Sequence, residues 1–136
     1  MRITQLVIFL TMIFLSATSW ANEVMCDIEY ASQVTTVKLE PVQDPYQLTN
    51  VDLRGNYRLT TQLLESHDTL PDALMTSKLK TYIYYQSKGR YALIHAAEYA
   101  VAESNCAPPH DHFGINRVYD SYLERELIFQ CRLVCR

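Results

Sequence analysis

The chain has one tryptophan, Trp20, three glycines, Gly55, Gly89 and Gly114, and no block of basic residues. So few glycines exclude the glycine-rich loops that bring backbone N–H groups up to a phosphate. No Gly-x-Ser-x-Gly or His-Glu-x-x-His motif occurs either, so the chain carries no hydrolase or zinc-protease signature and reads as a non-enzyme without a cofactor. Twelve Lys and Arg stand against fifteen Asp and Glu, a formal net charge of −3. An acidic chain without a basic patch is a poor match for nucleic acid.

Only one long apolar run is present, Leu6 to Leu15, behind a short segment whose single basic residue is Arg2. Ser19-Trp20-Ala21 follows with small residues at the two positions that signal peptidase reads, so Met1 to Ala21 is expected to be a secretory leader removed before Asn22. The run is short for a membrane span and no second one follows, so residues 22–136 are expected to form one exported, periplasmic or secreted domain with no transmembrane anchor.

All four cysteines, Cys26, Cys106, Cys131 and Cys135, fall within that domain, and an even count in an exported chain implies two disulfides. Three pairings are possible. The stretch from Ser121 to Arg136 narrows them, because Leu123, Leu127, Phe129, Cys131, Leu133 and Cys135 alternate with mostly polar residues as on a half-buried strand. A helix would also group Leu123, Leu127, Cys131 and Cys135, but it would leave Phe129 and Leu133 in water. On a strand, Cys131 and Cys135 stand about 13 Å apart, beyond disulfide reach. Each is therefore expected to bond to Cys26 or Cys106. A Cys-x3-Cys metal site is the alternative use of the pair.

The same period-two alternation marks Val24 to Tyr30 and Thr35 to Leu39 as strands. Pro41 and Pro45 bracket a linker that cannot be sheet interior. Val51 to Leu53 and Tyr57 to Leu63 flank Gly55-Asn56, a pair suited to a tight hairpin turn. His67 to Asp72 reads as a loop and Pro71 to Met75 as one helical turn. Lys78 to Tyr85 and Arg90 to Tyr99 form a central hairpin turning at Lys88-Gly89; a regular two-residue loop pairs Ile83 with Ile94, Tyr84 with Leu93 and Tyr82 with His95. Six to eight strands with at most one short helix amount to an all-β fold, a small antiparallel β-sandwich or a partly open barrel.

Two places could carry function. Regular pairing gathers Tyr82, Tyr84, Tyr91 and Tyr99 on one hairpin face with His95 and Lys80, an aromatic platform of the kind that binds glycans or proteins unless a second sheet covers it. The other place is Cys106-Ala107-Pro108-Pro109-His110-Asp111-His112-Phe113-Gly114, a stiff loop in which His110 and His112, with Asp111 or His95, could hold zinc or copper.

Through Cys106, Pro109, His110 and Asp111 this loop resembles the protruding Cys-Lys-Pro-His-Asp-Cys loop of a periplasmic family of proteinaceous lysozyme inhibitors. The resemblance implies that His110 would enter a lysozyme cleft. One extra residue separates Cys106 from Pro109-His110-Asp111, and His112 stands where the family's closing cysteine does. The first expectation is thus a non-catalytic exported module binding a protein or an envelope glycan; the alternatives are a metal-binding protein and a lysozyme-inhibitor-like protein.

Overall fold

The computed structural model describes residues 23–65, 77–102, 106, 112–120 and 124–135. The expected leader, the helical turn at Pro71 to Met75, and His110 and Asp111 lie outside them. Nine strands occur in chain order: β1 Glu23–Tyr30, β2 Gln33–Leu39, β3 Pro41–Val42, β4 Thr49–Asp52, β5 Tyr57–Leu64, β6 Ser77–Ser87, β7 Arg90–Val101, β8 His112–Asp120 and β9 Arg125–Val134. A single 3-10 turn, Arg54–Asn56, is the nearest approach to a helix among the described residues.

One sheet has the order β2-β1-β9-β8 and is antiparallel throughout. The other has the order β3-β5-β6-β7, with β4 also on the β3 edge of β5. The chain crosses from the first sheet to the second between Leu39 and Pro41, and returns between β7 and β8. Strand count exceeds the expected six to eight partly because Pro41–Val42, read from sequence as linker, adds a two-residue parallel strand to β5. Its position at the sheet edge is where a residue lacking N–H is tolerated.

Alternation builds the core. Val24, Cys26, Ile28 and Tyr30 of β1 and Leu127, Phe129, Cys131 and Leu133 of β9 are buried on one face of the first sheet. They meet Tyr57, Leu59 and Leu63 of β5 and Leu79 and Ile83 of β6 from the second. Phe129, at 0% exposure, gains about 2 to 3 kcal/mol from burial alone. Two threonines also enter this face, and their hydroxyls donate to neighbouring-strand carbonyls: Thr61 to Lys80 O at 3.0 Å and Thr81 to Ala97 O at 3.5 Å.

The strand reading of the C-terminal stretch holds over Arg125–Val134, and of the two pairings it left open the one observed is Cys26–Cys131 with Cys106–Cys135. Cys26 and Cys131 are direct register partners on adjacent strands with Cα atoms 4.0 Å apart, the close spacing of a non-hydrogen-bonded pair. Because all four thiols are bonded, no Cys-x3-Cys metal site exists. The sequence separations are 105 and 29 residues, and constraining loops of such lengths is worth of order 3 to 5 kcal/mol each.

Both expected hairpin turns are present. Lys88 and Gly89 take φ of 51° and 75° between β6 and β7, and Gly55 and Asn56 take 72° and 64° between β4 and β5. The central hairpin departs from regular pairing. Tyr84 faces Leu93 as expected, but the next pair is Ile83 with His95, and Ile94 is the extra residue of a β-bulge. Beyond it the register differs by one, so Tyr82 faces Ala96 and not His95.

Candidate binding cleft at the β7 and β8 edges

Side chains on a strand alternate strictly, so one inserted residue sends every later side chain to the opposite face. His95 therefore does not join Tyr82 on the outer face. It points between the sheets, where its ring meets Phe129 edge-on at 5.6 Å. Tyr99 is redirected in the same way: it pairs with Leu79, packs on Phe113 at 5.7 Å, and its hydroxyl accepts from Asn116 Nδ2 at 2.7 Å. The platform expected from regular pairing is thus reduced to Tyr82, Tyr84 and Tyr91.

These three lie on the face of the second sheet that is turned away from the first. Tyr82 and Tyr84 are half-buried and Tyr91 is exposed. Arg58, the β5 partner of Tyr84, holds the platform together: its guanidinium lies 4.2 Å from the Tyr91 ring centroid while Nε donates to Asp52 at 2.6 Å. That hydrogen bond keeps the Asp52 carboxyl below its ordinary range. Farther along, Gln62 is buried beneath the 44–47 turn, donating to the carbonyls of Asp44 and Gln47 at 3.0 Å each. The open part of the face is accordingly its β6 and β7 side.

The structure adds a feature that the sequence did not reveal. Strands β7 and β8 each end a sheet on the same side of the molecule, and Tyr99 and Asn116 bridge them at one point. Away from that bridge they border a cleft of about 370 Å³ lined by Tyr57, Tyr85, Ile94, His95, Arg117, Val118, Tyr119 and Asp120. The bulge places Ile94, 44% exposed, at its mouth, opposite Tyr119, 66% exposed. Tyr30, Tyr57 and Tyr85 form a ladder behind it with ring centroids 5.2 and 5.3 Å apart. Asp120 is buried at its floor. Burial raises the pKa of the Tyr57 phenol far above its ordinary value, and the neighbouring Asp120 carboxylate raises it further, so the phenol remains neutral. Arg117 is engaged at the rim by Glu126, at 2.9 Å.

Of the loop expected to hold a metal or enter a lysozyme, Cys106, His112, Phe113 and Gly114 are described, His112 as the exposed first residue of β8. Among the described residues no three His, Cys, Asp or Glu side chains are close enough to share a metal ion. No helix among them is long and apolar enough to cross a membrane. No family model matches the chain, and no curated protein or solved structure matches it.

Proposed function

We propose that this protein is an exported, non-catalytic binding module that recognises a protein partner through the β7 and β8 side of its sandwich. One observation carries the reading. Eight large hydrophobic side chains are exposed among the described residues, and five of them, Tyr91, Leu93, Ile94, Ile115 and Tyr119, belong to the two edge strands that border the cleft. Exposed apolar side chains gathered in this way mark interaction sites, and tyrosine supplies contact area at small entropic cost. Unpaired strand edges add backbone donors and acceptors for an extended partner segment. The two disulfides are compatible with an oxidising compartment, which supports the leader-like character of Met1 to Ala21.

Site-specific photocrosslinking in the native cell envelope tests the proposal. A benzophenone side chain at Leu93 or Tyr119 should give a discrete protein adduct, whereas the same group at Glu40, between the opposite edges, should not. Equal adducts at all three positions, or none, would refute it. An adduct released by glycan-cleaving enzymes and not by protease would move the partner to the envelope glycan.

A further inference from the structure

We infer that the protein partner supplies an extended segment that adds to the free edge of β8 as an antiparallel strand, with an acidic side chain set against Arg117; the assignment rests on the reading that this side of the molecule is the recognition surface. The pairing pattern fixes which backbone groups are on offer. Cys26 and Cys131 are a non-hydrogen-bonded pair between β1 and β9, so Cys131 turns its N–H and C=O toward β8, as do Phe129 and Leu127 in the same phase. Their partners on β8, Asn116 with Phe129 and Val118 with Leu127, are thereby occupied. Ile115, Arg117 and Tyr119 turn their N–H and C=O the other way, and β8 ends its sheet. Three donor and acceptor pairs thus stand open along one regular stretch, and the side chains of the same three residues are exposed. Strand β7 is a poorer template, because the bulge at Ile94 interrupts its edge.

The exposed side chains set the chemistry of the added strand. Apolar residues suit the positions opposite Ile115, 62% exposed, and Tyr119, because directly opposed side chains pack on each other. Opposite Arg117 a carboxylate fits: the guanidinium gives one nitrogen to Glu126 of β9 at 2.9 Å, and its remaining N–H groups can serve an acid on the other flank. The residue opposite Val118 points between the sheets, where the cleft of about 370 Å³ beside Ile94, Tyr57 and Tyr85 admits one large apolar side chain. Opposite Asn116 the hydrogen bond to Tyr99 at 2.7 Å closes the gap, so only a small side chain enters. In the partner's own chain direction the segment therefore runs apolar, large apolar, acidic, small, apolar. Charge also decides against a second copy of this chain. Two β8 edges that match Ile115 with Tyr119 have their two-fold axis at Arg117 and set two arginines directly opposite each other, where like charges repel.

The test is an NMR titration of the isotope-labelled protein with the end-blocked peptide Ser-Val-Leu-Glu-Ala-Val-Ser and with its counterpart carrying Lys in place of Glu. At saturation the amide protons of Ile115, Arg117 and Tyr119 should exchange with solvent at least tenfold more slowly, and the lysine peptide should bind at least tenfold more weakly. Methylating the backbone nitrogen of the peptide's Glu, which faces β8, should abolish binding; methylating that of its Leu, which faces away, should not. Arg117→Glu, at an exposed position, should reverse the preference between the two peptides. The methylated peptides need no change to the protein, so they decide the matter even if that variant fails to fold. Equal binding of the acidic and lysine peptides overturns the assignment, as does indifference to which nitrogen is methylated or the absence of shifts with every peptide. Slow exchange of the three amides in the free protein that grows with protein concentration also overturns it and makes a second copy the occupant. Crosslinks at Leu93 or Tyr119 that persist while the peptides fail would sink this inference and leave the recognition surface standing. Peptide binding without crosslinks would do the reverse.

Discussion

Gly55 is the position at which one added methyl group should cost most. It lies in the turn between β4 and β5 at φ 72°, a region that an alanine enters at a cost of about 1 kcal/mol. Space is the larger obstacle. A Cβ built there falls 2.7 Å from both Cε1 and the hydroxyl of Tyr30 and 2.9 Å from Cζ. Tyr30 cannot easily withdraw, because it is 4% exposed and its ring is held edge-on by Tyr57 at 5.2 Å. Overpacking of this kind costs about 1 to 3 kcal/mol, so Gly55→Ala should lose about 3 kcal/mol in total. Denaturant unfolding followed by circular dichroism measures the loss, with the slope unchanged if only stability moves. A double-mutant cycle isolates the clash: in a Tyr30→Leu background the ring is gone and Gly55→Ala should cost only the backbone share, about 1 kcal/mol. Equal losses in both backgrounds would show that the tyrosine ring does not enforce glycine at this position.

Two further outcomes follow from groups that the packing leaves in unusual positions. The hydroxyl of Tyr30 is buried without a hydrogen-bond partner among the described residues, so Tyr30→Phe should be neutral or stabilising by up to about 1 kcal/mol in the same unfolding assay; a loss above that size would point to a partner for the hydroxyl. Deleting Ile94 removes only the bulge residue and preserves the pairs Tyr84 with Leu93 and Ile83 with His95, so the fold should survive with His95 still against Phe129 while the cleft loses part of its rim. Cross-strand nuclear Overhauser effects between Ile83 and His95 would confirm this, and their disappearance would show that the bulge does more than insert a residue.

What could be read from the sequence is what depends on strict period two and local turn chemistry. The alternation of Leu127, Phe129, Cys131 and Leu133 names both the strand and its buried face, and from the strand follows that Cys131 must find a partner other than Cys135. Lys88-Gly89 and Gly55-Asn56 declare their turns because glycine and asparagine accept positive φ, whereas Ala31 and Ser32 turn β1 into β2 at φ 52° and 61° without any such residue. The bulge at Ile94 is quieter still, since Leu93, Ile94 and His95 all suit a strand whether paired or not. The inward phase moves from Ala92 to His95, Ala97, Tyr99 and Val101 across the bulge, but Tyr91, Leu93, Ala96 and Ala100 on the other phase are equally apolar, so the composition of β7 does not mark the switch. The cleft had no signal either, because Tyr57 and Asp120 come from different sheets and meet only where β7 and β8 happen to be the edges on the same side. A site made by two edges is a property of strand order, and strand order is fixed by which hydrophobic faces find each other across the whole chain, which no local pattern records.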